Sequence, residues 1–199
     1  MAPKTLIEMA GGKPTPARLA NAVVVVIDAQ HEYVDGALPL AGVGAALDEI
    51  ERLLKRARSA QTPIIHVVHH GRDGGIFAPG SAGAEIAAQA APAPGEAVVS
   101  KRLPNAFAST DLADRIAALK RPELVVVGFM THLCVEATAR AAIDNGLKAT
   151  VVAKATATRD LPDPVGNQPV PAAEVQRNAL AALADRFATV VPDAAGIPD

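Results

Sequence analysis

Three side chains with complementary chemistry each follow a run of residues that reads as a buried strand. Asp28 follows Val23 to Ile27, Lys101 follows Ala97 to Ser100, and Cys134 comes shortly after Leu124 to Phe129. A carboxylate beside a thiol can take its proton as a general base. An ammonium beside both holds the carboxylate ionised and favours the thiolate. Backbone N–H groups at the start of a helix can receive the negative charge that builds on a carbonyl oxygen under attack. Cys134, the single cysteine, is expected in the first turn of a helix over Thr131 to Asn145 that stops at Gly146. N–H groups there have no intrahelical partner and the local dipole favours negative charge, which predicts a lowered thiol pKa and a larger thiolate fraction. Each residue also has an ordinary use. A free cysteine is commonly a small core hydrophobe, an aspartate after a strand a cap or turn residue, and a lysine a solvated surface group.

The elements that must position these residues alternate along the chain. Val23 to Ile27 is an uninterrupted β-branched run, the pattern of a strand covered on both faces. Val43, Leu47, Ile50, Leu54 and Ala57 recur at helical spacing. Ile64 to Val68 reads as a second strand after Pro63, and Ala97 to Ser100 as a short third. Between them residues 71–97 are rich in Gly, Ala and Pro, with a possible short helix over Gly83 to Gln89. Leu112, Ile116 and Leu119 mark a helix capped by Ser109 or Thr110. Leu124 to Phe129 is strand four and Lys148 to Val152 strand five. A connection over Thr156 to Pro171 leads to a last helix, with Pro171 at its first position and its end near Arg186. Thr189 to Val191 closes the series as a sixth strand. Alternation of this kind predicts an α/β fold of three layers, a mostly parallel six-stranded sheet with helices on both faces. In a parallel sheet Asp28, Lys101 and Cys134 share the carboxyl-end edge, where ligands bind. With no internal repeat or linker, residues 1–199 are expected to form one domain, 1–18 being an N-terminal extension.

Bulk properties exclude several classes. Half of the 199 residues are hydrophobic and 20% are charged, which is globular rather than disordered. A net charge of −2 gives no general pull toward nucleic acid or an anionic membrane. Four Phe, one Tyr and no Trp do not make a base-stacking platform. A single cysteine leaves no intramolecular disulfide and no CxxC metal knuckle. The first 16 residues lack the apolar core of a secretory signal, and no apolar run approaches a membrane span, so a cytoplasmic protein is expected.

Four segments together resemble the isochorismatase-like cysteine hydrolases over nearly the whole chain. They are VVVVIDAQHEYV (23–34), KRLPNAF (101–107), GFMTHLCV (128–135) followed by Thr138, Ala139 and Arg140, and VVAKATATRD (151–160). The resemblance implies an Asp28–Lys101–Cys134 triad and a cis peptide between Phe129 and Met130. It also implies an oxyanion hole from the N–H groups of Met130 and Cys134, and assembly into dimers or tetramers. The chemistry implied is hydrolysis of a C–N bond in a small amide, ureido or carbamoyl compound through a thioester on Cys134, with no cofactor.

Departures from the family pattern bear on substrate and metal. Zinc-binding nicotinamidases of the family carry Asp-x-His after strand two. This chain has His66, His69, His70 and Asp73 there, without that spacing, so no metal site is expected. His69 or His70 is expected to line the pocket and contact substrate, with the alternative that both are ordinary polar residues where a strand meets a loop. Gln30, Tyr33, Phe77, Phe107, Phe129 and Met130 complete the expected pocket. His31 and Glu32 stand where Asn-Asp is common, and Asn105 where serine is common; both changes concern substrate identity. His132 is expected near the pocket rim or a subunit contact, outside catalysis. Two other functions fit the fold: vinyl ether hydrolysis, which needs no nucleophilic thiol, and a non-catalytic binding role, which loss of a triad member would favour.

Overall fold

The computed structural model describes residues 2–199; Met1, the first residue of the expected extension, lies outside the described residues. Six strands form one sheet: β1 (Ala22–Ile27), β2 (Ile64–His69), β3 (Ala97–Lys101), β4 (Glu123–Phe129), β5 (Lys148–Ala157) and β6 (Ala188–Val191). Their order is β3-β2-β1-β4-β5-β6, and every neighbouring pair is parallel. All six residues of β1 are buried, as a central parallel strand covered on both faces requires. The alternation of its side chains divides the core. Val24 and Val26 face α2 (Val43–Ser59) through Leu47, Ile50, Leu53 and Leu54. Val23, Val25 and Ile27 face the other way, with Leu112 and Ile116 of α3 (Leu112–Leu119), Ala139 and Ala142 of α4 (Glu136–Asp144) and Leu183 of α5 (Ala172–Arg186). The order turns back between β1 and β4, so the switch point of this sheet lies between the ends that carry Asp28 and the Cys134 turn.

Several elements differ from expectation. Residues 83–89 form no single helix; two 3₁₀ turns, Ala82–Ala84 and Ala88–Ala90, stand there instead. Alanine and glycine offer no apolar period to commit that stretch to a longer helix. Neither Ser109 nor Thr110 is the N-cap of α3. Asp111 holds that position, although the Thr110 hydroxyl does accept from the Leu112 N–H at 3.2 Å. Pro171 is the extended N-cap of α5 rather than its first helical residue, at ψ 146°. Strand β5 runs on to Ala157, because a register irregularity between Val126 and Gly128 lets β4 pair with Thr156 and Ala157 as well. A short helix near the N-terminus, α1 (Leu6–Met9), is capped reciprocally by Thr5 and Glu8, and the Leu6 N–H donates to Asp185 of α5 at 2.9 Å. Among the described residues no helix is long and apolar enough to cross a membrane.

Candidate active site

Asp28 leaves β1 in the left-handed region at φ 47°, a conformation that aspartate tolerates better than most residues, and its side chain is fully buried. Lys101 is the last residue of β3 and equally enclosed. It pairs in register with His69 of β2, so its four-carbon stem must cross β2 to reach β1, about two strand spacings of 4.8 Å away. It does so: Nζ lies 2.7 Å from Asp28 Oδ2. The same nitrogen lies 3.3 Å from Cys134 Sγ and 3.2 Å from His69 Nδ1. The contact is an ion pair without a well-directed hydrogen bond on either Asp28 oxygen, so both keep capacity to accept.

Cys134 is not in an ordinary first helical turn. Thr131–Val135 is a π-helical turn, and α4 begins only at Glu136. The N–H groups of Leu133 and Val135 both donate to the Met130 carbonyl, at 3.1 and 3.2 Å, and so bracket Cys134. Turns of this kind recur at functional sites. The turn is tied to the end of β5, with the Thr131 hydroxyl on the Ala157 carbonyl and the His132 ring on the Thr158 hydroxyl. On its other side, the Ala106 N–H donates to Thr138 of α4 at 3.0 Å, which anchors the loop after Lys101. The Phe129–Met130 peptide is cis. Gly128 precedes it at φ 110°, where a Cβ would stand 1.9 Å from the Ile27 carbonyl oxygen; only glycine fits.

The expectation of a lowered thiol pKa is overturned. Burial pushes the Cys134 thiol up, and the negative charge of Asp28 adds to it, against the pull of Lys101. Burial likewise raises Asp28, to about 6, with the Lys101 charge opposing it. At neutral pH the resting site therefore holds the proton on sulfur, an ionised carboxylate beside it and an ammonium touching both. The arrangement can pass a proton from thiol to carboxylate as sulfur attacks, with the positive charge held in place.

The expected pocket residues separate into groups. Tyr33, Phe77 and Phe129 form an edge-to-face cluster, with centroids 4.9 Å apart for Tyr33–Phe77 and 6.0 Å for Tyr33–Phe129. His69 joins it, 5.3 Å from Phe77. Phe77 holds φ 56°, an outlier for a bulky side chain. Its N–H points to buried Glu32, which also accepts from the Ala37 N–H at 2.7 Å. Phe107 is half-buried beside the apolar cluster that contains Cys134, and Met130 is buried next to Phe129. Gln30 does not offer its amide to a substrate: Nε2 donates to the carbonyls of His69 (3.1 Å) and Ala84 (2.8 Å), and Oε1 accepts from the His69 N–H at 2.8 Å. It is a clamp on the pocket wall. His70 stays half-buried, its N–H on the Lys101 carbonyl. His66 lies away from the pocket, 2.8 Å from Glu96, and half-buried His31 pairs with Asp35. The histidines of β2 thus diverge; among the described residues no three His, Cys, Asp or Glu side chains are grouped to hold a metal. The spacing of the sequence did not reveal Arg159, which lies close enough to influence both Tyr33 and His132, nor the hub at Glu32. The sequence signal for Glu32 is a carboxylate set beside Tyr33 and Val34 just after the β1 run.

The fold is a three-layer α/β fold whose parallel six-stranded sheet gathers a buried acid, amine and thiol at its carboxyl edge. The isochorismatase domain model matches residues 22–195, and the chain belongs to the isochorismatase family of hydrolases. A crystal structure described as an isochorismatase from Pseudomonas putida KT2440 superposes with a TM-score of 0.94 at 41% identity, covering 98% of this chain and 100% of that one. A secreted isochorismatase effector, Isc1, of Verticillium dahliae is 39% identical over 92% of this chain and 94% of its own length. A maleamate amidohydrolase of Pseudomonas putida is 31% identical over 68% of this chain and 72% of its own.

Proposed function

We propose that the protein is a metal-independent cysteine hydrolase that cleaves the C–N bond of a small amide, ureido or carbamoyl compound. The observation that carries the reading is the single ammonium, Lys101 Nζ, lying 2.7 Å from the Asp28 carboxylate and 3.3 Å from the Cys134 sulfur. Cys134 Sγ attacks the carbonyl carbon as Asp28 takes the thiol proton. The N–H groups of Met130 and Cys134 receive the oxyanion. The C–N bond then breaks, Asp28 returns the proton to nitrogen, and ammonia or an amine leaves a thioester on sulfur. Water, deprotonated by Asp28, adds to the thioester and releases the acid and the thiol. The relative named as an amidohydrolase supports amide chemistry. With only 3% of Cys134 exposed, a small substrate suits the approach to sulfur. Commitment of the His69 and His66 rings to Lys101 and Glu96 supports a reaction without metal.

The test is a panel of small amides, carbamoyl compounds and isochorismate, with ammonia and pyruvate both measured after the protein has been treated with chelator. Ammonia release and an acyl adduct on Cys134 by intact mass are expected. Pyruvate from isochorismate without ammonia from any amide overturns the reading in favour of vinyl ether hydrolysis. The proposal includes a cytoplasmic homodimer or homotetramer, to be checked by fractionation and by light scattering on the eluting protein.

A further inference from the structure

We infer that His69 is a positioning residue for the Lys101 ammonium: its uncharged ring, with the proton on Nε2, presents the lone pair of Nδ1 as a third contact and so aims the ammonium at Asp28 and Cys134. The consequence for turnover rests on the hydrolase reading above; the geometry does not.

An ammonium has three donors and no acceptor. Lys101 has three partners at contact distance: Asp28 Oδ2, Cys134 Sγ and His69 Nδ1. The ring nitrogen facing an ammonium must bring a lone pair, and that sets the tautomer. The contact follows from the fold, because His69 and Lys101 are register partners on adjacent parallel strands. The ring is held from two further sides. Gln30 binds both the N–H and the carbonyl of His69, fixing its backbone, and Phe77 packs edge-on against the ring. Without Nδ1, one N–H of the enclosed ammonium would lose its partner.

The charged and titratable groups facing the ring are Lys101 from β3 and His70, just past the end of β2; Gln30 and Phe77 carry no charge. Burial, the Lys101 charge and His70 together bring His69 down to about 4, so the ring stays uncharged through the neutral range. A protonated ring would set N–H against ammonium.

Two variants separate positioning from packing. H69N keeps an acceptor near the Nδ1 position; H69L keeps apolar bulk without one. H69L is expected to lose about tenfold in kcat with KM within about twofold, as removal of a charged hydrogen bond predicts. Alkylation of Cys134 by iodoacetamide should slow in parallel. H69N is expected to restore both. ¹⁵N-imidazole NMR of the wild-type protein should show His69 as the Nε2–H tautomer at pH 6, where an exposed histidine is substantially protonated. Equal losses in H69N and H69L, no loss in H69L, or an Nδ1–H or cationic ring at pH 6 overturns the inference. If the wild-type protein releases no ammonia, the hydrolase reading fails alone, since tautomer and alkylation still decide the role of His69.

Discussion

Lys101 and Asp28 touch, at 2.7 Å between Nζ and Oδ2, although strand β2 lies between the strands that carry them. The long side chain is therefore stretched across a neighbour to deliver charge, and both partners are sealed from water. Breaking such a pair by removing one member leaves a buried charge unopposed, at a cost of about 3–5 kcal/mol. K101M should unfold at markedly lower urea. The sign with pH is defined: Asp28 titrates above the ordinary carboxyl value, so it favours the fold below 3.8 and that contribution is lost as pH rises through about 6. The deficit of K101M should therefore be larger at pH 8 than at pH 5. The double variant D28N/K101M should be more stable than K101M at pH 8, and urea melts at the two pH values check both statements.

Asp28 raises the thiol pKa while serving as its base, so one substitution should move reactivity and activity in opposite directions. D28N removes the negative charge beside sulfur and should make Cys134 alkylate faster at pH 8 than in the wild-type protein. Hydrolysis should fall by about 10²–10⁴-fold for want of the base. In the wild-type protein kcat/KM should rise with pH through about 6 as the carboxyl ionises. Slower alkylation in D28N would contradict the assigned electrostatics.

Gly128 lets β4 lie close against β1 two residues before Met130. A methyl group there would meet the Ile27 carbonyl oxygen at 1.9 Å, from a backbone at φ 110°. G128A should cost more than about 3 kcal/mol, combining left-handed strain with displacement of β4 from β1. Whatever protein still folds should release ammonia far more slowly than its folded fraction accounts for. Soluble yield, melting temperature and activity per folded molecule check this.

How far the sequence reveals the site depends on whether a contact is local. The β-branched runs of β1 and β4 were legible because burial on both faces leaves only apolar residues, and α2 because its apolar stripe repeats over four turns. The edge that gathers Asp28, Lys101 and Cys134 follows from parallel alternation alone. The contact between His69 and Lys101 needs strand register, which no single segment encodes. Gln30 reads as a pocket residue because a polar group near a catalytic acid suggests a ligand; its partners are backbone groups 39 and 54 positions away. The π-turn is not legible because Thr131 to Asn145 has the composition of a plain helix, while the Leu133 and Val135 N–H groups converge on one carbonyl.

Glu96 makes the wall behind β2 sensitive to acid. Arg58 grips it with two nitrogens, at 2.8 and 2.9 Å, His66 lies at 2.8 Å, and the Ala93 N–H donates at 2.8 Å. Burial works to raise this carboxyl, but the hydrogen bonds from Arg58, Ala93 and His66 outweigh it and hold it at about 2. A lowered carboxyl stabilises the fold above its ordinary value of 4.5, and that contribution disappears as pH falls through about 2. The wild-type protein should therefore lose stability between those limits. In E96Q the part of that slope due to this group should be missing. The variant should be less stable at pH 7, where the Arg58 cation and the His66 ring lose a charged acceptor, and the two proteins should converge near pH 2. Urea unfolding at pH 7, 4.5 and 3 measures the slope; parallel curves for the two proteins would place the acid sensitivity elsewhere.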